Sequence, residues 1–254
     1  MHRWAIAAFV LALLPVSPAA AGWYRVETYT GTVGPYPVTL SLQRYDDFGS
    51  GITVEGSYVY DRRQSPIALY GTAEGARLRL CETAEAAEIQ RILVQGLKTP
   101  VDTAACPFTL DVGPDGASGT WSAGGRNLPV ALTRTGRLDD TGAGVVEGTV
   151  AIPFWAQTAR HRFAGIYTKS DAGICMTRLQ AIDKTSAKVT GEIAFDRDDC
   201  NAGMVMTSIY LNATARAAHG IGSYVVAVEF RDGRAGTTAD YLFNDTNGTF
   251  RRPK

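Results

Sequence analysis

Charge of one sign is missing from this sequence. Its 25 Lys+Arg and 25 Asp+Glu cancel over 254 residues, so net charge draws it neither to nucleic acid nor to anionic lipid. Histidine is scarce, with only His2, His161 and His219. His161 sits in Arg160-His161-Arg162 and His219 precedes Gly220, contexts that read as polar loops. There is no His-Glu-x-x-His, no Gly-x-Ser-x-Gly and no Cys-x-x-Cys, which removes the commonest zinc-hydrolase, serine-hydrolase and zinc-finger patterns. No cofactor is implied. A run of about 20 apolar residues, the length of a spanning helix, is also lacking, so stable membrane insertion is not expected. The 45% hydrophobic content in turn excludes a disordered chain.

What is present begins with the first residues. A basic start, Met1-His2-Arg3, precedes an apolar run from Trp4 to Leu14, then the breakers Pro15, Ser17 and Pro18, then Ala19-Ala20-Ala21. This is the three-part layout of a secretory signal peptide, residues 1–21, with cleavage expected after Ala21. The expected destination is the periplasm or the medium. Cys81, Cys106, Cys175 and Cys200 suit that oxidising route as two disulfides. Three connectivities are open. The equal separations favour Cys81–Cys106 and Cys175–Cys200, each closing a loop that contributes about 3 kcal/mol by the loop-closure argument.

Alternation of apolar and polar residues recurs through the chain: Pro37 to Leu42, Ala76 to Leu80, Lys188 to Phe195, and Tyr224, Val226, Val228, Phe230. Successive strand side chains face opposite ways, so this is the pattern of half-buried antiparallel sheet. Asp115-Gly116, Asp232-Gly233 and Asn247-Gly248 supply hairpin-type turns. A partial repeat adds detail. Gly56-Ser57-Tyr58 precedes Pro66-Ile67-Ala68-Leu69 by ten residues, and Gly119-Thr120-Trp121 precedes Pro129-Val130-Ala131-Leu132 by the same interval; Pro37-Val38-Thr39-Leu40 echoes the second half. The equal intervals predict hairpins of one geometry stacked into a curled sheet. Ala84 to Gln95, with Thr83 as cap and Gly96 as stop, reads as a single helix, although Ile92-Leu93-Val94 reads equally as a strand. The expected fold is all-β and mainly antiparallel, two small barrel-like or sandwich-like lobes built from hairpins. The division is drawn in the Thr135–Gly144 stretch, giving an N-terminal domain at 22–136 and a C-terminal domain at 137–254.

The stretches Tyr29 to Val38, Gly56 to Tyr60 and Ser65 to Gly71 resemble a pattern in exported bacterial proteins of unknown function, a resemblance that implies a β-meander or barrel and no activity. In general character the exported, disulfide-bridged β lobes are also similar to periplasmic lysozyme inhibitors.

Asp140-Thr141-Gly142-Ala143 matches the aspartic-protease signature, in which two Asp share a proton. A second such motif is missing, and Asp139 stands where an apolar residue is expected, so a polar turn is the competing reading. Asp196 to Asp199 before Cys200 lacks the spacing of a calcium loop. Glu147, Glu192 and Glu229 alternate with apolar residues and read as outer-face carboxylates. The aromatics point to recognition: Tyr36, Tyr58, Tyr60 and Trp121 gather in the hairpin region, with Tyr58 and Tyr60 on one strand face. Exposed Tyr and Trp make platforms for sugars, peptides or proteins, although the same residues also fill small cores. The expectation is an exported, non-enzymatic β protein that binds a protein or glycan ligand in the cell envelope, inhibition being one form of this. The alternatives are a secreted carboxylate-dependent hydrolase using Asp140 and a structural envelope component.

Overall fold

The structure is a computed structural model that describes residues 24–45, 51–96, 98–141, 144–170, 173–195, 208–231 and 236–252. The expected signal peptide, Cys200, Asp196 to Asp199 and the expected turn at Asp232-Gly233 lie outside them. The protein is all-β. Strands β1 (Tyr24–Val33), β2 (Tyr36–Tyr45), β3 (Val54–Tyr60), β4 (Ile67–Glu74), β5 (Arg77–Thr83), β6 (Phe108–Val112), β7 (Gly116–Ala123) and β8 (Arg126–Asp139) form an antiparallel meander. It closes by pairing β8 with β1, and β9 (Val145–Gly148) extends β8 outside the closure. The expected division at residues 136/137 falls inside β8.

Closure is what removes the exposed sheet edges of an open meander. The inner face carries Val38, Leu40 and Leu42 from β2, Leu78 and Leu80 from β5, Phe108 and Leu110 from β6, and Val130 and Leu132 from β8, all buried together. The period-2 spacing of these residues is the one seen in the sequence, and it fills the barrel with side chains. Glycine allows the tight curl: a Cβ at Gly31 would lie 2.0 Å from the Ala131 carbonyl oxygen, and one at Gly119 would lie 2.0 Å from that of Thr109. No side chain fits there.

The repeated units are hairpins, but not of one geometry. Gly119 pairs with Val130 across the two-residue turn Gly124-Gly125, whereas Gly56 pairs with Leu69 across a loop at 61–66. The longer loop shifts the partner two residues further from the glycine. A two-residue shift preserves which face each side chain takes, so both units still present their aromatics inward. The helix α1 (Ala86–Gly96) lies between β5 and β6. Thr83 Oγ1 accepts from the Glu85 N–H at 3.3 Å and donates to Glu88 at 3.0 Å. The Cys81–Cys106 disulfide closes this excursion. Cys175–Cys200 includes a residue outside those described.

The second lobe has two four-stranded antiparallel sheets: β10 (Val150–Gln157) to β11 (His161–Ser170), β12 (Gly173–Asp183) and β13 (Val189–Ala194), and β14 (Ala213–Ala217) to β15 (Ser223–Arg231), β16 (Gly236–Asn244) and β17 (Thr249–Arg251). The sheets face each other through Phe163 and Phe243, ring centroids 5.1 Å apart, and their edges adjoin at β10/β14 and β13/β17. A register shift between Thr28 and Tyr29 leaves Thr135 as the extra residue of β8. Beyond this bulge Leu138 joins the core of the second lobe with Tyr24 and Val26, so one irregularity moves β8 from lining one lobe to supporting the other.

Candidate functional site: the aromatic mouth of the first barrel

The barrel ends differ in chemistry. At one end the inward alternation continues past Leu42 to Arg44, past Leu132 to Arg134, and back from Tyr29 to Glu27. Arg44 pairs with one Glu27 oxygen, Arg134 Nη1 lies 3.3 Å from the other, and the Tyr29 hydroxyl donates at 3.1 Å. Burial alone would raise the Glu27 carboxyl, yet the arginine charges and hydrogen bonds hold it below the usual carboxylate range. This end is closed by a compensated ion network.

The opposite end gathers the β1–β2, β3–β4, β5–β6 and β7–β8 connections. There the inward series Leu78, Leu80 ends on Glu82, the series through Gly119 ends on Trp121, and Tyr58 is followed by Tyr60. The Tyr58 hydroxyl donates to Glu82 Oε2 at 2.5 Å, and the Trp121 indole N–H donates to Glu82 Oε1 at 3.3 Å. Tyr58 and Tyr60 meet edge-on with centroids 5.4 Å apart, Tyr60 and Tyr36 at 6.0 Å, and Tyr58 and Phe108 at 5.7 Å. Tyr58 is buried, Tyr60, Glu82 and Trp121 are half-buried, and Tyr36 is 45% exposed. Burial first, and the adjacent Glu82 charge second, raise the Tyr58 phenol well above its ordinary value. Tyr60 is also raised, by burial and by Glu82, against a lowering contact with Tyr58.

The four aromatics singled out in the sequence therefore converge on one mouth, in a gradient from the buried Tyr58 to the exposed Tyr36. Glu82, which accepts from Tyr58 and Trp121, is a residue of this mouth that the sequence reading does not single out. The signal was available: it continues the Leu78-Leu80 alternation, so a charged residue falls on an inward position. No group of three or more His, Cys, Asp or Glu placed to hold a metal occurs among the described residues.

Asp140 is half-buried just beyond β8, and its N–H donates to the Tyr24 carbonyl at 3.1 Å. Its neighbour Asp139 accepts from the Thr141 N–H at 3.0 Å and pairs with Arg137. These contacts build an Asx-type turn. His161 corrects an expectation: it is buried at the start of β11, and its Nδ1 lies 2.8 Å from Asp245 Oδ1. The flanking arginines suggested a solvated loop, but a partner 84 residues away holds the ring between the two sheets. Asp245 also accepts from the Thr158 hydroxyl and the Arg160 N–H. The Nε2 side abuts Gly248, where an added Cβ would lie 2.9 Å away, so the pair is a packed internal brace.

Fold and site together define an all-β protein with a side-chain-filled, eight-stranded barrel whose one end is an aromatic-lined acidic mouth. No protein-family model, curated protein or solved structure matches the chain. No helix among the described residues is long and apolar enough to cross a membrane.

Proposed function

We propose that this is an exported, non-enzymatic binding protein whose first barrel engages a protein or glycan ligand of the cell envelope through its aromatic mouth. The observation that carries this reading is the graded cluster in which Tyr58 and Trp121 hold Glu82 and the ring contacts run outward from Tyr58 through Tyr60 to Tyr36. Rings pinned at one edge and open at the other give large contact area at little entropic cost. Export follows from the leader in residues 1–21, and the Cys81–Cys106 disulfide supports an oxidising compartment. The strands on which the rings stand pair along their length, so the surface is preorganised.

The test is affinity capture from envelope extract with the folded protein and with a Tyr36→Ala/Tyr60→Ala variant. The reading expects a stable ligand retained by the first and lost by the second. A ligand held equally by both overturns the assignment of the mouth. Hydrolysis of a peptide or glycan substrate that disappears in Asp140→Asn overturns the non-enzymatic reading. N-terminal sequencing of the exported protein is expected to begin at Gly22, and retention of Met1 in the cytosol contradicts export.

A further inference from the structure

The two inward-facing carboxylates of the barrel have opposite electrostatic situations. Glu27 is compensated by Arg44 and Arg134. Glu82 accepts only from the neutral donors Tyr58 and Trp121, and no described cation pairs with it. A carboxylate drawn into an aromatic setting without a counter-charge is stabilised by a cation that arrives with a ligand. Ring faces also attract organic cations within about 6 Å of the centroid.

We propose that this mouth is an ammonium-binding cage in which Glu82, beside Tyr60 and Trp121 and with Tyr36 at the rim against Tyr60, receives a lysine side chain of a protein partner. This rests on the binding reading above and narrows it to a ligand chemistry. Each Glu82 oxygen already accepts one bond, Oε2 from Tyr58 and Oε1 from Trp121, which breaks up the open fork that a bidentate guanidinium prefers. A compact ammonium at the tip of an alkyl stem needs one free lone pair and apolar walls for its methylenes. The half-buried rings, and Leu128 paired with Trp121 across the β7–β8 hairpin, supply those walls.

The experiment titrates n-butylammonium into folded protein labelled with 15N-tryptophan and follows the indole N–H signal of Trp121, identified by its loss in Trp121→Phe. 1-Butanol is the neutral control and N-acetyl-arginine methylamide the guanidinium arm. The expected result is a saturable shift with butylammonium, about tenfold weaker in Glu82→Gln and absent with 1-butanol. Tyr36→Leu, at an exposed position that the fold does not depend on, is expected to weaken binding about two- to fivefold. An equal response to 1-butanol, an unchanged response in Glu82→Gln, tighter binding of the arginine derivative, or no saturable shift each overturns the cage. The broader reading fails separately: a captured ligand retained by Glu82→Gln but lost by Tyr36→Ala/Tyr60→Ala removes the ammonium assignment and leaves the binding mouth standing. Capture of no ligand removes the binding reading, and the lysine of a protein partner with it, even where the butylammonium response is intact.

Discussion

The indole N–H of Trp155, on β10, donates to the backbone carbonyl of Gly56, on β3, across 2.8 Å. This bond lies in the seam where the second lobe covers the outer wall of the barrel. Around it Ser41 Oγ meets the Tyr210 hydroxyl at 3.0 Å, and the Ile209 N–H donates to Gln43 Oε1 at 2.8 Å. Trp155 also stacks on Tyr210, centroids 5.2 Å apart. Ser41 and Gln43 on the outer face of β2 are thus buried and paired by the other lobe, whereas the Ser57 hydroxyl on β3 is buried without a hydrogen-bond partner among the described residues.

The seam makes the lobes one unfolding unit. Trp155→Ala removes a buried indole and its bond, and is expected to cost about 3–5 kcal/mol. Urea denaturation followed by far-ultraviolet circular dichroism and by tryptophan fluorescence is expected to give coincident transitions. Two separated transitions in the unaltered protein contradict the coupling.

Glu27 sets the acid limb. Its carboxyl lies below the usual range because Arg44 and the other arginines outweigh its burial, so its stabilisation is full above the unfolded value of about 4.3 and is lost as pH falls through the lower folded value. Glu27→Gln is expected to lower stability at neutral pH by about 2 kcal/mol and to flatten the loss below the unfolded value. Melting temperatures across an acid pH series check both.

Glu55 acts in the opposite sense. It is buried beside Ser208 in the seam, the Tyr45 hydroxyl donates to it at 2.7 Å, and burial raises its carboxyl despite those contacts. The folded protein therefore keeps its proton where the unfolded chain loses it, and stability declines as pH rises from about 4.3 toward the folded value. Glu55→Gln is expected to stabilise the protein at neutral pH relative to acid. Equal stability differences at both pH values contradict this.

The Cys81–Cys106 bridge spans the excursion that carries α1. Its removal as a double Ser variant is expected to cost about 3 kcal/mol in urea titrations. Non-reducing peptide mapping is expected to recover this bridge together with Cys175–Cys200; a Cys81–Cys175 peptide contradicts local pairing.

Much of the barrel was legible because its inner face is a period-2 signal: Val38, Leu40 and Leu42 announce one wall, and Tyr58 with Tyr60 announces a shared face. Turn length was not legible. The ten-residue interval hides a six-residue loop at 61–66 in one hairpin and a two-residue turn in the other, because strand residues and loop residues trade places without changing the spacing. Pairings across long separations carried no local mark. Arg134 reaches Glu27 across 107 residues, and His161 looked solvated until Asp245 was beside it. Glu82 was overlooked for another reason. A carboxylate at a strand end reads as surface unless its parity with Leu78 and Leu80 is followed to the last residue.

The decisive experiment is hydrogen–deuterium exchange of the purified protein, alone and with the ligand captured from envelope extract. Binding at the mouth slows exchange in the segments at 34–36, 61–66 and 124–126 and leaves β14 to β17 unchanged. Protection confined to the second lobe, or no protection anywhere, contradicts it.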